Sequence, residues 1–338
     1  MLTLPFEEVQ ATLEAALTRH GMEPARATRC ARLFCETTQD GVYTHGLERF
    51  PRLIKMIKNG TVKPNASPIR LSGFGALERW DGQQGVGNLN ATDAMDRAIA
   101  LSQQHGIGCV ALGNTNHWMR GGSYAWQAAE AGVLGLCWTN TMPNLPPWGG
   151  LDPVAGNNPI AIGVPRKAGH VVLDMAMSQF SYGAIESYRK RGQPLPVPGG
   201  FDTEGNITSD PAAIEQSMRP LPIGYWKGSG LSILLDMTAA VLSLGRATHQ
   251  IVSDSLLETG LSQLFFAVAP ATLGPTEKGE EIADSIVASL HASKPVKSGI
   301  SVRYPGENTL EIRKENKKHG LPIQEIIWTE IQLLAASR

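Results

Sequence analysis

Residues 107–139 read IGCVALGNTNHWMRGGSYAWQAAEAGVLGLCWT, and this stretch decides the fold class. Ile107–Leu112 is a short apolar run bounded by glycine, the pattern of a buried strand. A Gly- and Asn-rich turn follows, and Tyr124–Ala131 then reads as a helix with Ser123 as its cap. Val133–Thr139 is the next apolar run and reads as a second strand. Strand, helix and strand in this order mark an α/β sheet.

Working outward, further strands are expected at Pro159–Val164, Val171–Met175, Leu264–Ala269 and Gly299–Tyr304. Helices are expected at Thr92–Gln104, Phe180–Lys190, Ser229–Leu244, Glu277–His291 and Pro322–Ala335. Toward the N-terminus the pattern is wholly helical. Phe6, Val9, Leu13, Ala16 and Leu17 fall at helical spacing and Gly21 ends that stripe. A second helix is expected from Pro24 to Gly41 and a short third one at Leu53–Ile57. Gly192–Pro211 is rich in proline and glycine and reads as a long surface loop. We therefore expect a helical region at 1–70, an α/β core at 71–290, and a C-terminal strand and helices at 291–338 that pack back on the core.

Bulk properties narrow the partners. Thirty basic residues against 31 acidic ones leave a net charge of −1, which argues against nucleic acid or an anionic membrane. The most apolar helical stretch, Leu231–Leu244, contains Asp236 and is too short to span a bilayer. Cys30, Cys35, Cys109 and Cys137 form no Cys-x-x-Cys pair and read as small buried hydrophobes, so no metal centre is expected. The N-terminus lacks the basic start and apolar run of a signal peptide, and a cytoplasmic protein is expected.

Chemistry concentrates first in Tyr43-Thr-His-Gly-Leu-Glu-Arg-Phe-Pro-Arg52. His45 and Arg49 are four residues apart, so a helical turn would present both on one face, unless Pro51 breaks it early. An imidazole can transfer a proton near neutral pH, and a guanidinium can hold a carboxylate in a two-point grip. A 2-oxo acid or its 2-hydroxy product needs both, although a surface helix with one His and one Arg is also common. Three polar clusters follow expected strands: 113–122, 140–149 and 174–178. Each is either a capped turn or part of one site beyond the strand ends. His117 lies in the first and has no Asp or Glu close enough in sequence for a local metal site. Gly224-Tyr-Trp-Lys-Gly-Ser-Gly230 opens a helix, where free N–H groups and Lys227 suit a phosphate. Asp174 either accepts from a ribose diol or caps a turn. No Gly-x-Gly-x-x-Gly follows a strand and opens a helix, so a Rossmann dehydrogenase is a poor reading. From residues alone, this is an α/β enzyme for a small anion.

Five motifs in order carry a more specific likeness: Thr44-His45-Gly46 with Arg49; Asn116-His117-Trp118-Met119-Arg120-Gly121-Gly122; Trp138-Thr139-Asn140 with Pro146-Pro147-Trp148-Gly149; Asp174-Met175 with Phe180-Ser181-Tyr182-Gly183; and Gly224–Gly230. Together they resemble the malate/L-lactate dehydrogenase family that lacks a Rossmann fold, over the whole chain. The resemblance implies a mixed-sheet α/β fold of the L-sulfolactate/malate dehydrogenase type with N-terminal helices. It also implies an NADH-dependent reductase of a 2-oxo acid or sugar acid, acting as a homodimer. By that likeness His45 is the proton donor, Arg49 a substrate anchor, and His117 lines the same pocket. His170, Val171, Val172, Leu173, Asp174, Met175 and Ala176 would contact the cofactor, as would Trp226, Lys227, Gly306, Glu307 and Asn308. Thr44 replaces the usual serine and keeps the hydroxyl. Pro305-Gly-Glu-Asn308 replaces Pro-Gly-His-Glu of a near relative, which puts the side chains of Glu307 and Asn308 in question as ligands. Malate, lactate or ureidoglycolate dehydrogenation is the alternative within the family. A metal-dependent lyase or hydrolase using His45 and His117, or a non-catalytic sugar-acid binder, is the alternative outside it.

Overall fold

The computed structural model describes residues 1–336. A short strand, β1 (Leu2–Leu4), precedes α1 (Phe6–Arg19), α2 (Pro24–Gln39) and α3 (Phe50–Lys58). The stripe on α1 becomes its buried face, with Val9, Leu13, Ala16 and Leu17 inaccessible. Pro24 opens α2, where its missing N–H is not needed.

The central part runs β2 (Ile69–Phe74), β3 (Leu77–Asp81), α4 (Gly87–His105), β4 (Ile107–Thr115), α5 (Gly122–Glu130), β5 (Leu134–Thr139), β6 (Ile160–Val164) and β7 (Val171–Met175). Then come α6 (Tyr182–Lys190), the β8 (Gly200–Phe201) and β9 (Ile207–Thr208) pair, α7 (Pro211–Ser217), α8 (Trp226–Ser243) and β10 (Leu261–Val268). The chain closes with α9 (Thr276–His291), α10 (Glu307–His319), β11 (Leu321–Ile323) and α11 (Glu325–Ala335).

Seven strands form one mixed sheet in the order β2-β3-β4-β10-β5-β6-β7. Only β3 and β4 pair in parallel, joined through α4. β4 and β5 also run the same way, but β10 lies between them and pairs antiparallel with both. Alternation along β4 divides the core between two faces. Val110 and Leu112 pack with Met95 and Ala98 of α4 and Ala125 and Ala128 of α5. Cys109 and Ala111 pack with Leu235 and Ala239 of α8. Glycine sets the closeness of the helices. A Cβ at Gly108 would lie 2.1 Å from the Ala98 carbonyl oxygen, and one at Gly163 would lie 2.3 Å from that of Ala125. A separate cluster joins the chain ends, where α1–α3 pack on Leu321, Trp328 and Ile331, and β1 pairs with β11.

Several expected elements shift. Gly299–Tyr304 is not a strand: it carries no ladder, and only the next carbonyl, that of Pro305, accepts from Val172 N–H (2.9 Å). Pro322 and Ile323 belong to β11 and not to the last helix, because Leu321–Ile323 pairs with β1. Ser123 does not cap α5, which already begins at Gly122. The stretch from Gly192 to Pro211 holds the β8–β9 pair and the start of α7, so it is not an unstructured loop. Among the described residues no helix is long and apolar enough to cross a membrane. All four cysteines are buried and unpaired, and burial pushes the Cys30 and Cys109 thiols up to about 12.

Candidate active site

The segment after α2 does not form the single helical turn expected for His45 and Arg49. Two separate 3-10 turns, Tyr43–His45 and Leu47–Arg49, are split at Gly46, whose backbone leaves the helical region (φ −93°, ψ −130°). The Thr38 hydroxyl accepts from Leu47 N–H at 2.9 Å and anchors the break. A Cβ at Gly46 would lie 2.1 Å from that hydroxyl oxygen, so the position admits only glycine without a shift. Pro51 does not interrupt the turn either. It sits in the first turn of α3, where proline is tolerated.

His117 arrives from the other side, two residues past β4. Its Nδ1 accepts from Met119 N–H at 3.0 Å, so the neutral ring carries its proton on Nε2. The rings of His45 and His117 stack with centroids 5.9 Å apart and 21° between planes. His45 Nδ1 lies 3.0 Å from the Thr44 hydroxyl. Thr44 in turn touches the first turn of α6: a Cβ on Gly183 would lie 3.3 Å from its methyl group.

Cations surround the two rings. Arg49 has a buried Nε with no hydrogen-bond partner. Arg52 donates to the Ser255 carbonyl through Nε (2.8 Å) and to Glu258 (3.3 Å). Glu258 is only 3% exposed and also accepts from Met142 N–H at 3.3 Å. Asp40, buried at the end of α2, pairs with Arg120 and takes two bonds from Arg313 of 2.6 and 2.8 Å. Burial first, then Arg49, Arg120 and Arg52, holds His45 down at about 4. Burial, then Arg49 and His45, holds His117 well below the usual imidazole range. Burial and Arg52 bring Arg49 to about 10, with Glu258 opposing. Both imidazoles are therefore neutral at neutral pH in the ligand-free site.

The three polar clusters lie along one edge of the sheet. Thr115 of β4 and Thr139 of β5 pair with Leu261 and Gln263 at the start of β10. Ile160 pairs with both Trp138 of β5 and Met175 of β7, so the ends of β4, β5 and β7 share that edge. Much of the polarity in the clusters is spent on holding loops. Asn116 donates to the Gln84 and Gly85 carbonyls. Asn140 donates to Asp236 and to the Arg246 carbonyl. Asp174 accepts from Gly122 N–H at 2.8 Å through one carboxylate oxygen, which caps the start of α5.

His170 precedes β7; its Nδ1 accepts from Arg166 N–H at 3.1 Å, and its ring lies 5.7 Å from that of Trp126. Val171, Val172, Leu173, Asp174 and Met175 form β7, the outermost strand, and Ala176 follows it. Beyond it, Ile223 N–H donates to the Met177 carbonyl at 2.8 Å, which brings the start of α8 close to the end of β7. There Trp226 is 64% exposed and Lys227 Nζ lies 6.0 Å from its ring centre. Gly306 lies against β7 at φ 89°, where a Cβ would sit 3.1 Å from both N and O of Val172. Glu307 and Asn308 are occupied locally. Glu307 accepts from Tyr304 N–H and contacts His291, while Asn308 accepts from Arg303. Arg52 and Glu258 were missed as site residues. Arg52 is close to Arg49 in sequence, but a lone glutamate before a strand carries no motif.

A family model described as malate/L-lactate dehydrogenase matches residues 4–332. A curated relative from Escherichia coli named 2,3-diketo-L-gulonate reductase is 44% identical over 337 residues, 98% of this chain and 100% of the relative. The structure of a sulfolactate dehydrogenase from Methanocaldococcus jannaschii superposes with a TM-score of 0.92 at 26% identity, covering 98% of this chain and 96% of that one. A malate dehydrogenase structure from Pyrococcus horikoshii gives 0.90 at 25% identity, covering 99% and 94%. With the mixed sheet and the paired imidazoles already in view, the chain belongs to the malate/L-lactate dehydrogenase family and is an oxidoreductase acting on CH–OH groups.

Proposed function

We propose that this enzyme uses NADH to reduce a 2-oxo acid to a 2-hydroxy acid, with 2,3-diketo-L-gulonate as substrate and 3-keto-L-gulonate as product. The observation that carries the reading is the pair of stacked imidazoles beside Arg49, whose buried Nε lacks a partner. The name of the full-length relative supports the particular substrate.

Arg49 pairs with the substrate carboxylate and orients the adjacent ketone. His45 delivers the proton that the ketone oxygen takes up as its carbonyl becomes an alcohol. In the ligand-free site His45 is neutral, held down by burial and by Arg49, Arg120 and Arg52. The arriving carboxylate offsets those cations and raises the proton affinity of the ring. His117 keeps Nε2–H free, because Nδ1 is engaged by Met119, and donates to the same oxygen. The residues that would hold the dinucleotide are His170–Ala176, Trp226, Lys227 and the backbone of Gly306. The glycine cradle against Val172 and the edge position of β7 in the sheet fit that assignment. When bound, the reduced nicotinamide supplies the hydride. The side chains of Glu307 and Asn308 are left out of the set, since both are already engaged.

The functional unit is a homodimer joined through α8. Leu234, Met237 and Val241 of this helix are exposed although its inner face is already packed. Solvent does not favour such a surface. Four buried thiols support a reducing, cytoplasmic setting.

The test is NADH oxidation by purified protein with 2,3-diketogulonate, oxaloacetate, pyruvate and 2-oxoglutarate, run in parallel with NADPH. Fastest turnover of the first with NADH is expected. Absence of nicotinamide oxidation with all four defeats the reading.

A further inference from the structure

Two guanidinium groups stand near the paired imidazoles, and they are not equivalent. Arg52 is engaged twice, by the Ser255 carbonyl and by Glu258. Arg49 has a buried Nε with no partner. The third nearby cation, Arg120, pairs with Asp40, which is shared with Arg313, and its Nε is also buried without a partner. With both imidazoles neutral, Arg49, Arg52 and Glu258 together carry one positive charge. One substrate carboxylate cancels it.

A second carboxylate on the substrate meets a different situation. The guanidinium left for it is Arg120, already paired with buried Asp40, and Glu258 adds a buried negative charge at Met142 N–H, on the loop that leaves β5. We infer that Glu258 is a specificity-determining residue that restricts the site to 2-oxo monocarboxylates and rejects dicarboxylates. This rests on the reductase reading above and deepens it by setting the charge of the substrate. Rejection by a fixed like charge is a common route to discrimination, since contacts to the preferred ligand alone seldom separate close analogues.

The experiment compares two substrates that differ only in charge: oxaloacetate, and 2-oxosuccinamate, in which the distal carboxylate is an amide. Their kcat/KM ratio is measured for the native enzyme, Glu258→Gln and Glu258→Asp. The native enzyme should favour the amide by about tenfold or more, the scale of one unfavourable charge contact. Glu258→Gln keeps a polar group for Arg52 and Met142, and should bring the ratio close to one. Glu258→Asp should restore the preference. A ratio that Glu258→Gln leaves unmoved overturns the inference, as does a native enzyme that prefers oxaloacetate.

The same charge comparison is made without turnover by calorimetric titration of malate against its distal amide, malamate. Weaker binding of malate that Glu258→Gln relieves supports the inference even where no substrate oxidises NADH. Failure of turnover with every 2-oxo acid bears instead on the reductase reading. Equal binding of malate and malamate to the native protein overturns the charge assignment itself.

Discussion

The imidazoles of His45 and His117 face one another at 5.9 Å, yet they reach this position from parts of the chain 72 residues apart. One comes from a pair of 3-10 turns after α2 and the other from the loop that leaves β4. In the proposed mechanism proton transfer falls to His45 and hydrogen bonding to His117.

Replacing His45 by alanine should lower kcat by about a hundred- to ten-thousand-fold, the usual contribution of a general acid. NADH binding, followed by fluorescence titration, should persist. Near-normal turnover would remove His45 from the role and move it to His117.

Arg49→Met should act chiefly on substrate binding. Losing a charge-assisted contact of about 1.5–3 kcal/mol raises KM for the 2-oxo acid by roughly tenfold to a hundredfold. An unchanged KM counts against the anchor.

Acid should destabilise the fold through the same pair. An imidazole held at about 4 in the folded chain, against an ordinary 6.5, leaves the unfolded chain binding more protons between those values. Stability is therefore present above about pH 6.5 and is lost as pH falls through about 4, with His117 adding in the same direction. Melting temperatures across that window should fall in the native protein. They should fall less steeply when His45 and His117 are both replaced by asparagine. Equal slopes would show that other groups dominate.

Val241→Glu places a charge on the outer face of α8, at a residue 65% exposed in the single chain. Sedimentation should change from dimer to monomer while circular dichroism stays native. A dimer that survives would place the interface elsewhere.

Local patterns made much of this architecture legible. The stripe on α1 and the apolar runs of β4, β5 and β7 name their own elements, because burial on one or both faces sets the spacing of apolar residues. α10 gave no such signal: Glu307–His319 has no buried residue, and charged side chains fill it. Pro322 and Ile323 of β11 fall in the expected last helix because so short a strand carries too little periodicity, and only β1 makes it a strand. In the site, His45, Arg49 and His117 stood out by residue type and motif. Glu258 did not, because its meaning comes from burial beside Arg52, a contact across 206 residues of sequence.

The place of β10 bears on how the protein is made. Residues 261–268 fill the gap between β4 and β5, which were synthesised more than a hundred residues earlier. Until that segment leaves the ribosome, β4 and β5 each keep an unpaired edge, and the loops around the imidazoles lack their common support. The nascent chain must keep those edges from pairing with other molecules through a long middle stretch of translation. Such non-local pairing also slows closure of the sheet. Demand on chaperones should therefore peak late in synthesis, and a chain cut before residue 261 should aggregate and show no catalysis.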